Sequence, residues 1–81
     1  MVDPASIESS IRAGLACTHC EVRGDGAHFE AVIVSSAFSG QRPLARHKLV
    51  YDCLGGLVGN EIHALSIRAF TEGEWRQLHK G

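Results

Sequence analysis

Between Cys20 and Ser36 the chain alternates apolar and polar residues around a Gly24-Asp25-Gly26 interruption, and that pattern commits it to a β-hairpin. Cys20 and Val22, then Phe29, Ala31 and Ile33, fall on one face, because successive side chains of a strand point to opposite sides. Asp25-Gly26 suits a two-residue type I′ turn. With Gly24 paired to Ala27, Val22 faces Phe29 and Cys20 faces Ala31, so turn and pattern agree on one register. Val32 and Val34 lie on the otherwise polar face. The second strand is thus apolar on both sides toward its end, which predicts a covered or partner-binding patch there.

The hairpin alone cannot bury its apolar face, and the flanking segments supply helices. Asp3 before Pro4 is a strong helix start, and Ile7, Ile11 and Leu15 form one stripe of a first helix running to about Ala16. Ser35 to Arg42 reads as a loop. Pro43 opens a second helix whose stripe is Val50, Cys53, Leu54, Leu57 and Val58, weakened at its end by Gly55, Gly56 and Gly59. Ile62 to Phe70 reads as a third strand, with Leu65, Ile67 and Ala69 as its apolar phase. A helix between two strands implies a right-handed crossover, so strands two and three are parallel. Thr71-Glu72-Gly73-Glu74 is a capping box that starts the last helix at Glu72, with Phe70 set to pack on Trp75 as a staple. The order is α-β-β-α-β-α, an α+β sandwich with helices on one face of a three-stranded mixed sheet.

Residues 1–81 make a single domain. A chain this short buries only about 60% of its unfolded surface, so a disulfide, a metal or a partner is a usual compensation. At 44% hydrophobic and 21% charged residues, disorder is excluded. Eight Lys plus Arg against nine Asp plus Glu leave a net charge of −1, which exerts no strong pull on polyphosphate. Three cysteines are too few and odd in number for an oxidised scaffold, so free thiols and a cytoplasmic location are expected. No basic segment followed by an apolar run stands at the N-terminus, and no stretch approaches the roughly 18 apolar residues of a membrane span. Neither secretion nor a membrane is expected.

Three groups carry possible chemistry. Cys17-Thr18-His19-Cys20 is a C-x-x-C, but no second ligand pair at zinc spacing exists. Cys17 follows a helix and Cys20 points into the core phase of a strand, so structural thiols are favoured over a redox pair. Arg42, Arg46, His47 and Lys48 cluster at the start of the middle helix, where positive charge opposes the helix dipole and could receive an anion. His47 also lies on the apolar stripe, which reads as the edge of the core. His28 begins the second strand and His63 the third, so parallel strands put both imidazoles at one end of the sheet. Adjacent strands lie about 4.8 Å apart, within reach of one metal centre, although alternation points His28 outward and His63 inward. Two unrelated histidines and a shared metal site at the sheet's rim both remain open. No Ser-His-Asp order, P-loop or paired carboxylates is evident, and an enzyme is not expected.

At Phe38-Ser39-Gly40, Leu44-Ala45-Arg46-His47, Tyr51, Ile62-His63-Ala64-Leu65-Ser66-Ile67 and Glu74-Trp75 the sequence resembles the BolA family over nearly its whole length. Its compact hairpin, Gly24-Asp25-Gly26-Ala27-His28-Phe29, is similar to that of the short, IbaG-type branch. The resemblance implies a class II KH-like sandwich. It also implies a monothiol glutaredoxin as partner and a [2Fe-2S] cluster shared with the glutaredoxin cysteine and glutathione, in cluster assembly, trafficking or stress response. His63 matches the family's C-terminal histidine ligand. Longer members carry a second His or Cys in an extended first loop, here cut to Gly24-Asp25-Gly26-Ala27, so the second ligand falls to His28, with Cys20 a poorer candidate. Alone, the chain is expected to be a monomer or weak homodimer. The family is also described as transcriptional regulators, which implies an alternative in which Arg42, Arg46 and Lys48 contact DNA or RNA. Ser39-Gly40-Gln41-Arg42 stands where a KH clamp would be, and a near-neutral chain would bind weakly and with strong salt dependence.

Overall fold

The expected order of elements is present. The computed structural model describes residues 3–57, 62 and 64–80. Its elements are α1 (Pro4–Gly14), β1 (Cys17–Gly24), β2 (His28–Ser35), a 3₁₀ turn (Ser36–Phe38), α2 (Pro43–Leu54), a second 3₁₀ turn (Gly55–Leu57), β3 (Ala64–Phe70) and α3 (Glu72–Leu78). β2 is the central strand, antiparallel to β1 and parallel to β3. Asp3 caps α1 by accepting from the Ser6 N–H at 2.8 Å. Thr71 and Glu74 cap α3 reciprocally, at 2.9 and 3.2 Å.

The hairpin register differs from the two-residue turn read in the sequence. Gly24 pairs with Phe29 and Val22 with Ala31. A type I′ turn needs positive φ at both central residues, and here only Gly26 has it, at 101°. The Asp25 carboxylate instead accepts from the N–H groups of Ala27 and His28 at 3.0 and 2.9 Å, and the Asp25 N–H donates to the His28 carbonyl. This side-chain turn widens the loop. The shift is by two residues, so every side chain keeps the face its alternation gave it.

Ile7, Ile11 and Leu15 of α1 and Val50 and Leu54 of α2 meet Cys20, Val22, Phe29, Ala31 and Ile33 of the sheet, with Phe38 and Ile62 closing the same core. Leu65, Ile67 and Ala69 pack against it in the phase expected of β3. Gly14 lets α1 approach α2 closely, since a Cβ there would sit 2.6 Å from the Cys53 sulfur.

The expectation of helices on one face holds for α1 and α2, while α3 lies against the other. His19, Val34 and Phe70 form one row across the three strands on the side opposite the core. Trp75 of α3 stacks on His19 at 5.0 Å and meets Phe70 at 5.4 Å. Val34 is 1% exposed yet outside the main core, because it is sealed from this second side. The patch read from Val32 and Val34 is therefore covered at its Val34 end by the chain's own last helix. An arginine also occupies a carbonyl on each edge strand, Arg12 on Cys20 at 3.2 Å and Arg46 on Ala69 at 3.1 Å, which blunts the edges against strand addition.

Candidate functional site

His28 stands at the rim where the sheet begins. Its side chain is exposed, and its neighbour across to β3 is Ala64, the residue that follows His63 in sequence. His63 itself lies outside the described residues. The Asp25 turn fixes His28 by holding its backbone N–H, and the same N–H groups keep the Asp25 carboxyl below its ordinary value and hence ionised. A shallow cavity of about 350 Å³ opens at this end between Arg23, Asp25, His28, Glu30 and Ser66. Among the described residues no group of three or more His, Cys, Asp or Glu side chains is placed to hold a metal ion.

Cys20 does not share that rim. It pairs with Ile33, five positions along β2 from His28, and is 5% exposed beneath the helices. Burial pushes its thiol up to about 12, far from the thiolate a metal requires. Among the described residues, His28 is the exposed imidazole at this rim.

The cationic start of α2 divides into unlike parts. Arg46 is turned inward: Nε donates to the Gln41 carbonyl at 2.8 Å, Nη1 to the Ala69 carbonyl, and both Nη atoms to the Glu74 carboxylate at 2.6 and 3.1 Å. Lys48 pairs with Asp52 one turn on, both exposed, and Arg42 is exposed at the helix start without a side-chain cap. His47 is half-buried. Arg42 and Lys48, with Leu44, Ala45, His47 and Tyr51, line an open groove of about 570 Å³.

Two features of this region have no signature in the sequence. The Arg46–Glu74 pair spans 28 positions. The aromatic cluster of His19, Trp75 and His79, with Trp75 and His79 rings 4.1 Å apart, joins β1 to the last helix.

The Arg46 guanidinium, helped by the Thr71 N–H, holds the Glu74 carboxyl down to about 2 from an ordinary 4.5. A depressed carboxylate contributes stability that is complete above the unfolded value and lost as pH falls through the folded one. Wild type should therefore resist urea better than Glu74→Gln at neutral pH, and the gap between their midpoints should close between about pH 4.5 and pH 2. A gap unchanged down to pH 2 would show that the carboxylate's charge is not what stabilises the clamp.

A three-stranded mixed sheet with this order of helices defines a class of small α+β sandwich domains. Residues 6–74 match the family described as BolA-like protein, and the chain belongs to it. It is 44% identical over 62 residues to the DNA-binding transcriptional regulator BolA of Vibrio cholerae, covering 76% of this chain and 58% of that protein. It is 35% identical over 75 residues to the acid stress protein IbaG of Escherichia coli K12, covering 91% and 89% respectively. The crystal structure of a Bol-like protein from Babesia bovis superposes with a TM-score of 0.87 at 30% identity, covering 98% of this chain and 95% of that one. The chain spans little more than half the length of the Vibrio relative, as the 58% coverage shows.

Proposed function

We propose that this chain is a non-enzymatic accessory module that pairs with a monothiol glutaredoxin in the cytoplasm and serves [2Fe-2S] cluster assembly, trafficking or stress response. The observation that carries this reading is the exposed His28 at the sheet's rim, strand-paired with the residue next to His63. His63 and His28 would hold one iron, and a glutaredoxin cysteine and glutathione the other. Two imidazoles on one iron tune a cluster differently from four thiolates and loosen as they protonate, which suits a relative named for acid stress.

The test is reconstitution with a monothiol glutaredoxin, ferrous iron, sulfide and glutathione, read by visible absorption and circular dichroism. A heterodimer spectrum that changes in His63→Ala and in His28→Ala is expected. An unchanged spectrum in His63→Ala overturns the ligand assignment, and glutaredoxin binding that ignores iron reduces the protein to an adaptor without a cofactor.

A second reading is a nucleic-acid-binding regulator, supported by the exposed Arg42 and Lys48 and by the Vibrio relative's name. Gel-shift titration at two salt concentrations separates the two, since only this reading expects Arg42→Ala/Lys48→Ala to abolish binding while His63→Ala preserves it.

A further inference from the structure

Cys17 and Cys20 are three positions apart, and in a regular strand that odd spacing would put their thiols on opposite faces. β1 is not regular there. Cys17 pairs with Ser35 and His19 with Val34, so Thr18 is an extra residue without a cross-strand partner and the alternation skips a step. Cys17 and Cys20 consequently stand opposite Ser35 and Ile33, two apart on β2. Both face the helices: Cys20 is part of the core and Cys17 packs against it. The Cys17 thiol donates to the Leu15 carbonyl at 3.5 Å. All three cysteines are free.

We propose that Cys17 and Cys20 form a redox-modification site, closing an intrastrand disulfide when the protein meets a peroxide. Cys17, the less buried of the two, takes one oxygen atom from hydrogen peroxide and becomes a sulfenic acid, releasing one water. The Cys20 sulfur then attacks the Cys17 sulfur, forming the S–S bond and expelling a second water. Two thiols are oxidised by two electrons and one peroxide is reduced to two waters. Burial holds the Cys17 thiol above its ordinary value, and the charge of Arg12, whose Nη2 sits 3.2 Å from the Cys20 carbonyl, offsets part of that rise. The raised thiol makes the reaction slow. The bridge would close a loop of only a few residues, which constrains the unfolded chain little, so it is a reversible bond and not a structural staple.

The test is mass spectrometry of the intact protein treated with hydrogen peroxide, alkylated and cut with trypsin. Cys17 and Cys20 share peptide 13–23, while Cys53 lies in peptide 49–68. Peptide 13–23 is expected to lose two hydrogen atoms and resist alkylation until dithiothreitol is added, with Cys53 alkylated throughout. Cys53→Ser should behave identically. In Cys20→Ser, the Cys17 sulfur, without a resolving thiol, should pass to sulfinic acid or an intermolecular bridge. A cross-link between the two peptides, separate over-oxidation of Cys17 and Cys20 in the wild type, or continued full alkylation of both would each overturn the proposal.

Discussion

Phe38→Ala is expected to destabilise the protein by about 3–5 kcal/mol, the usual range for emptying a buried phenylalanine site. Phe38 is 0% exposed, the largest fully buried side chain, and it stands on the 3₁₀ turn that carries the chain from β2 to α2. The turn is rigidly held: the Ser35 hydroxyl accepts from the Ala37 N–H at 3.1 Å and donates to the Ala16 carbonyl at 2.7 Å. Walls fixed in this way cannot collapse into the vacated space, which puts the loss toward the upper end. Domains of this size have only about 5–15 kcal/mol in total, so the thermal midpoint should fall by roughly 15 °C or more. Thermal unfolding followed by circular dichroism measures it. A drop of under about 5 °C would mean that α2 moves in to refill the site.

Why some of the molecule was legible in the sequence, and some not, follows from which interactions are local. The hairpin illustrates both. The loop is two residues wider than the Asp25-Gly26 dipeptide suggests, because the Asp25 side chain competes for the backbone N–H groups of Ala27 and His28. The assignment of Val22, Phe29, Ala31 and Ile33 to the core nonetheless survived, since a slip of two leaves alternation intact. The bulge at Thr18 was beyond reach for the opposite reason. A single extra residue has no composition of its own, and it shows only when Cys17 and His19 are seen opposite Ser35 and Val34.

The face that receives α3 is set by contacts that are likewise distant in sequence. The capping box and the Phe70–Trp75 contact are sequence-local and were readable. Which face of the sheet receives the helix depends on His19, far earlier in the chain, whose ring meets Trp75 only in three dimensions. Of the candidate metal site, strand order and parallelism placed His28 at the rim, and the structure adds its exposure and its Asp25 tether. The proposed partner, cluster and role of His63 rest on resemblance alone, because no periodicity encodes a ligand that another molecule must complete.

Arg46→Ala is expected to destabilise by about 2–3 kcal/mol, at the upper end for charge-assisted hydrogen bonds. Its side chain is only 12% exposed and reaches Gln41, Ala69 and Glu74, tying α2 to β3 and α3 in one clamp, with Phe38 6.0 Å beneath the guanidinium. The loss is not larger because Glu74, 48% exposed, regains water when its partner goes. Arg46→Lys should recover well under half, since an ammonium cannot reproduce the planar fork that binds both carboxylate oxygens. Urea unfolding should show a lower midpoint with an unchanged slope. A wild-type midpoint in Arg46→Ala would refute the clamp. The consequence reaches the choice between functions. Any loss of nucleic-acid binding in Arg46→Ala would report a loosened α3 as readily as a lost phosphate contact, whereas Arg42 and Lys48 are exposed and can be changed without touching the clamp. If their joint replacement leaves both stability and nucleic-acid binding unchanged, the cationic start of α2 is a solvated surface, and the rim around His28 is left as the site to test.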